Sequence, residues 1–284
     1  MKAATPQYQD FIQSVEITAT PEEQKLIRRY YITAMVLRVI SICSLLLVFF
    51  LITAHGFVII TDSNKTKSHI YTYIFAFVPA MIYGIYRASF SKKVQNVLLQ
   101  ECDPNRVLSL YSTLVSYAKN RNWEIHFYNL AQNLYYAGRF EDAEKVQSLL
   151  LKYCPSNKGK LYYEMIGIDL AIHRQDLEVE DVTHHCLIMA ELGKKVKLKG
   201  TMYLIYSGKM RYPMCFQLFR DKKYEDLYYG IKIAITLKNS LLAEVKRNYY
   251  LYKVALLLGD NEKAEEHKKF VMQNGGTLWY AKGL

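Results

Sequence analysis

Val39–Ile60 reads VISICSLLLVFFLITAHGFVII, 22 consecutive residues without Asp, Glu, Lys or Arg. At about 1.5 Å per helical residue, such a run spans the roughly 30 Å hydrocarbon core of a bilayer. Working outward, a second uncharged run covers Ile70–Tyr86, 17 residues that the snorkelling side chain of Arg87 extends. Tyr30 and Tyr31 precede the first run, Tyr71 and Tyr73 open the second, and Tyr83 and Tyr86 close it. Amphipathic rings at both interfaces are what a pair of spans requires. Pro79 lies inside the second run, where it is expected to kink the helix. The first run starts too far into the chain, and is too long, for a secretory leader. Transmembrane helices are therefore expected near 39–60 and 70–88.

Flanking charge orients the pair. Lys25, Arg28, Arg29 and Arg38 precede it, and Arg87, Lys92 and Lys93 follow it. The short connection Thr61–His69 carries only Lys65 and Lys67. The positive-inside rule then puts both termini in the cytoplasm, and the expected home is the plasma membrane of a bacterium. Asn64-Lys65-Thr66 is a formal glycosylation sequon, but it lies too close to the membrane to count. Upstream, Thr20-Pro21-Glu22-Glu23 is a capping box with proline in the first turn, starting a helix that continues into the first span. Residues 1–19 lack periodicity and read as a loosely ordered N-terminal segment. The expected division is 1–19, a membrane hairpin over 20–93, and a cytoplasmic domain over 94–284.

That cytoplasmic domain reads as helical. Six prolines and 13 glycines punctuate the whole chain, too few for many short strands. In Trp123–Pro155, Phe127, Leu130, Ala131 and Leu134 share one helical face. Gly138-Arg139-Phe140-Glu141-Asp142-Ala143 then makes a turn, and Val146, Leu149 and Leu150 form a second stripe before Pro155. This helix–turn–helix unit resembles a tetratricopeptide repeat, whose period is about 34 residues. A second match has Asn248, Leu251, Tyr252 and Ala255 before Gly259-Asp260-Asn261-Glu262-Lys263-Ala264, followed by His267 and Val271. Arg211–Ala234 is a weaker copy with Lys223-Tyr224-Glu225-Asp226-Leu227 at the turn, and Lys158–Leu192 is a degenerate one. The fold class expected is all-α: a transmembrane hairpin followed by a TPR-like solenoid of about four helix pairs, some degenerate.

The resemblance implies a concave groove lined by the first helices of successive units. Laying the units over one another makes Tyr128, Tyr212 and Tyr249 equivalent, and likewise Lys209 and Lys246, with Asn129, Gln132 and Lys253 nearby on that face. A groove of tyrosine and lysine suits an extended peptide with acidic groups or a free carboxylate. The alternative is that these tyrosines pack between units, because Arg211 and Asn248 occupy adjacent core sites in the later copies.

Net charge is +11, and from Ser89 onward 29 Lys and Arg face 21 Asp and Glu. Beside a membrane, that excess is drawn to anionic headgroups. Lys194, Lys195, Lys197 and Lys199 form the densest basic run, either facing lipid or starting a solvated helix. Nucleic acid ranks lower as a partner, since no nucleic-acid motif accompanies the charge. Asp181, His184 and His185 fall within about a turn, with His173 nearby, and Asp181 and His185 at i,i+4 could share a metal. No second ligand cluster joins them, and the phosphate-loop, dinucleotide, zincin and nucleophile-elbow motifs are missing. No catalytic, cofactor-binding or metal residue is assigned. Five scattered cysteines without a C-x-x-C pair read as free thiols in a reducing compartment. Arg38 and His55 are the polar groups within reach of the bilayer, read as snorkelling or interface residues. The leading functional expectation is a membrane-anchored adaptor binding a protein or peptide. One alternative is a complex subunit whose two spans mediate assembly. Another is an enzyme with an unrecognised site near His173, His184 and His185.

Overall fold

The computed structural model describes residues 10, 15–17, 19–55, 66–116, 123–173, 179–233 and 240–284. The side chains of 48, 51–55, 66–76, 114–116 and 179–181 lie outside that description. Among the described residues the regular structure is helical throughout, with no strand. The chain divides into two compact units, one of residues 20–95 and one of 1–19 with 96–284.

The first unit contains α1 (Pro21–His55) and most of α2 (Thr66–Leu99). The capping box opens α1 as expected. Glu23 N–H donates to Thr20 Oγ1 at 3.3 Å, and Thr20 N–H donates back to the Glu23 carboxylate at 3.0 Å. Among the described residues one helix, α1, is long and apolar enough over Pro21–Leu47 to cross a membrane. Val39, Leu46, Phe49 and Phe50 are exposed along it. The buried Ser41 hydroxyl donates to the Leu37 carbonyl at 2.7 Å, so this polar group needs no water. The Tyr30 ring stacks on Phe90 at 3.6 Å and on Tyr86 at 5.5 Å, joining the start of α1 to the later half of α2. Residues 61–65 of the expected outer connection, with the first two residues of the sequon, and the Tyr71 and Tyr73 rings lie outside the described residues and side chains, while 66–69 already belong to α2. Pro79 sits within α2, which continues through it.

The second unit runs α3 (Pro104–Ser116), α4 (Trp123–Tyr136), α5 (Phe140–Tyr153), α6 (Asn157–His173), α7 (Val179–Lys195), α8 (Thr201–Lys209), α9 (Tyr212–Arg220), α10 (Tyr224–Ile233), α11 (Leu241–Leu257), α12 (Asn261–Asn274) and α13 (Trp279–Lys282). Neighbours in sequence pack as antiparallel-type pairs, α4 on α5, α6 on α7, α9 on α10 and α11 on α12, while α4 also lies against α6. The stripe on α4 is buried as its spacing requires. Phe127, Leu130 and Leu134 are at most 1% exposed, each side chain contributing about 1.5–3 kcal/mol. Ala131 and Ala143, both fully buried, let α4 and α5 approach closely.

Three inter-helix turns share one hydrogen-bond pattern. Arg139 N–H donates to the Leu134 carbonyl, Lys223 N–H to Leu218, and Asp260 N–H to Ala255. One residue earlier, Gly138 donates to Tyr135, Lys222 to Phe219, and Gly259 to Leu256. This is the Schellman helix stop, which needs a residue with positive φ. Gly138 (80°) and Gly259 (72°) adopt it freely, and Lys222 is forced into it at 57°. Five residues after each stands the buried residue of the following helix, Ala143, Leu227 or Ala264.

The N-terminal segment is tied to this unit rather than loose in its described part. Val15 is 2% exposed within the core, Lys152 pairs with Asp10 at 2.6 Å, and Arg139 donates to the Glu16 carbonyl. Within the described part, Val15 and Ile17 reach the core, and two alternating positions are too few to give a periodic signal.

Candidate functional site

In Glu164-Met165-Ile166-Gly167-Ile168-Asp169-Leu170-Ala171-Ile172 a single aspartate interrupts the apolar run of α6. Asp169 is 1% exposed. A carboxylate there is tolerable only if cations and donors reach it. Lys209, the last residue of α8 and itself 4% exposed, forms an ion pair with Asp169 Oδ2. Gln132 of α4 donates its Nε2 hydrogen to the same oxygen at 2.5 Å. Lys246 of α11 brings Nζ to 3.9 Å from Oδ1 and lies 5.7 Å from the centre of the Tyr212 ring. Among the described residues, Asp169 Oδ1 and the Tyr128 and Tyr250 hydroxyls have no hydrogen-bond partner.

The charges around this carboxylate do not balance, because two ammonium groups meet one anion. Burial pushes the Lys209 ammonium down to about 8, partly opposed by Asp169 and reinforced by the like charge of Lys246. Burial also works against charge on Lys246, but the Tyr212 oxygen and Asp169 outweigh it and push that ammonium up. Burial raises the Tyr136 phenol to about 12, so it is a neutral donor at ordinary pH. Lys246 keeps 23% of its side chain exposed and is the cation of the cluster that reaches solvent. The chemistry on offer is recognition of an anionic group by ammonium and phenol donors, with no nucleophile–base pair in the cluster.

Of the residues expected to line a groove, Gln132, Lys209, Tyr212 and Lys246 come together around Asp169. Tyr128 packs beside them against Tyr162, ring centres 4.8 Å apart. Tyr249 is covered instead by the chain's own C-terminal segment, its ring 5.3 Å from Trp279 and 5.1 Å from Tyr280. Asn129 turns to the Tyr111 hydroxyl, and Lys253 is exposed beside the Tyr249 and Tyr252 rings. Buried Tyr128, Gln132, Lys209 and Tyr249 are thus not an open wall; the accessible part of the set is Lys246, Tyr212 and Lys253. Asp169 itself escaped the sequence reading, although a carboxylate alone in an apolar helical run is the signal that marks it.

No protein-family model, curated protein or solved structure matches the chain.

His173 and His185 make contacts within the fold. His185 Nδ1 meets Glu164 Oε2 at 2.5 Å, and Gly167 makes room for its ring, since a Cβ there would lie 2.8 Å from His185 Cε1. His173 stacks on Phe140 at 3.4 Å, and His184 is exposed. The Asp181 side chain lies outside the description. Among the described residues no group of three His, Cys, Asp or Glu could hold a metal. All five cysteines are free. Burial pushes the Cys102, Cys154 and Cys186 thiols up to about 11, which leaves them unreactive. Lys194, Lys195, Lys197 and Lys199 are exposed at the end of α7 and in the stretch leading to α8.

Proposed function

We propose that this chain is a membrane-tethered helical-repeat adaptor of the tetratricopeptide type. Two spans, near 39–60 and 70–88, hold both termini on the cytoplasmic side of a bacterial plasma membrane. The repeats bind a protein partner through an acidic segment or a free carboxylate. The observation that carries this reading is the uncompensated positive charge at Asp169, where Lys246 and Tyr212 are the accessible donors. The shared Schellman turns at Gly138, Lys222 and Gly259 support the repeat reading. The length and apolarity of α1 support the tether.

Cross-linking in native membranes, followed by solubilisation and mass spectrometry, tests it. A partner should be captured by the full chain and lost with Lys246→Glu, while that variant keeps its helicity and membrane retention. Exchanging the hairpin for an unrelated two-span anchor should leave capture intact. Capture that follows the hairpin and ignores Lys246→Glu would instead make the spans the assembling element.

A further inference from the structure

No Asp or Glu occurs between Glu191 and Asp221. Within that interval stand Lys194, Lys195, Lys197, Lys199, Lys209, Arg211 and Arg220. Lys209 is consumed by Asp169, and the other six are exposed and make no ion pair among the described residues. The local fold presents them. Val196 and Leu198 turn inward against the main core, which leaves Lys197 and Lys199 outward between them and after them. Gly200, at a φ of 56°, then redirects the chain into α8. The first turn of α8 exposes two large apolar side chains, Tyr203 at 54% and Leu204 at 51%. Farther along the same acid-free interval, α9 exposes Met214 and Phe219.

Lysines alone would suit any polyanion, but the neighbouring side chains discriminate. A nucleic acid or an acidic peptide would satisfy the ammonium groups and leave Leu204 in water. An anionic bilayer surface takes all of them: lysines at the phosphate level, the tyrosine ring at the headgroup boundary, and leucine against the acyl chains. We infer that Lys194–Leu204 is a bilayer-docking surface selective for anionic phospholipid. The inference rests on the tether reading, since a span in the same chain keeps this surface within reach of headgroups at high effective concentration.

The test uses the full chain in lipid nanodiscs, made either of phosphatidylcholine alone or with added phosphatidylglycerol. Lysine acetylation is followed residue by residue by mass spectrometry. Lys197 and Lys199 should be acetylated several-fold more slowly in the anionic discs, with exposed Lys269 unchanged as the internal control. Rising salt should erase the difference. Lys→Gln at 194, 195, 197 and 199 should abolish protection of Thr201–Leu204 from hydrogen exchange, and Tyr203→Ser with Leu204→Ser should weaken protection of the lysines. Equal acetylation in the two kinds of disc overturns the docking surface, as does protection that arises only when an oligonucleotide or acidic peptide is added to neutral discs. The tether is read separately: release of the chain from membranes by alkaline carbonate would overturn it, whatever the lysines do.

Discussion

A carboxylate at 1% exposure inside an apolar helix persists because Lys209 and Gln132 neutralise and bond it. Asp169→Asn would leave the ammonium groups of Lys209 and Lys246 facing each other without an anion. The expected loss is about 3–5 kcal/mol of stability, read from denaturant unfolding of the purified chain. Lys209 adds a pH signature. Its ammonium titrates at about 8 in the fold and at 10.5 when exposed, so between those values the unfolded chain holds the extra proton. The contribution of this group to stability therefore rises with pH across that window. Lys209→Met should flatten the rise when midpoints of wild type and variant are compared at its two ends. Three half-buried histidines act at the other end of the scale. Burial pushes His126, His173 and His267 below 6.5. The unfolded chain then takes up protons first, so the stability they contribute is present above about pH 6.5 and is lost as the pH falls below it, through the lowered values of the folded chain. His267 sits between Asn248 Oδ1 and the Tyr228 hydroxyl, both at 2.8 Å. With Nδ1–H donating to Asn248 and Nε2 accepting from Tyr228, the ring is held neutral. Substituting His267 by Gln should reduce the acid sensitivity, measured by unfolding between about pH 7 and 5.

At the scale of elements, the Schellman turns make opposite predictions for chemically similar changes. Gly259 has a φ of 72° and open space around it, so Gly259→Ala costs only the left-handed backbone strain, about 1 kcal/mol. Lys222 bears that strain already at 57°, and Lys222→Gly should stabilise α9–α10 by up to about 1 kcal/mol. Gly138→Ala should cost more than Gly259→Ala, because its Cβ would also press on Trp279 Cβ at 3.1 Å. Thermal unfolding of the three variants checks the ordering. The same turns show what the residues could reveal in advance. Gly138 and Gly259 announce their turns because glycine is the default residue at positive φ, and the alanines five positions later mark close helix contacts. The third turn was weaker in sequence because lysine occupies the strained site and Leu227 replaces the alanine. The short helix α8 went unassigned, since its apolar residues Met202, Tyr203, Leu204 and Ile205 form a run without helical periodicity. The sequence register pairs Lys209 with Lys246 but not their meeting point, because Asp169 lies in Lys158–Leu192, where no turn glycine or alanine sets a register.

At the scale of the whole chain, each of the two units has its own logic. The unit of residues 20–95 exposes large apolar side chains along α1, a surface that is costly to leave in water. The unit of residues 96–284 buries its rings, and it does so by bringing its C-terminal segment back across α4, α6 and α11. Thr277 donates its N–H to the Cys102 carbonyl at 3.1 Å and its hydroxyl to Asp103 Oδ1 at 2.8 Å; that oxygen also caps α3 through Arg106 N–H. Beyond it, Trp279 meets Tyr135, Phe140, His173 and Tyr249, and the fully buried Tyr280 meets Tyr136, Tyr249 and Tyr250. An open solenoid leaves its first helices free, whereas this segment ties α4 and α6 to α11, so cooperativity within the unit depends on it. Tyr280→Ala should therefore cost about 3–5 kcal/mol and lower the unfolding midpoint of α4 and α11 together, seen as joint loss of hydrogen-exchange protection. Protection within α1 should be unchanged, since α1 belongs to the other compact unit. Loss confined to α12 and α13 would mean that the segment merely caps the last helix pair and that the rest of the unit stands without it.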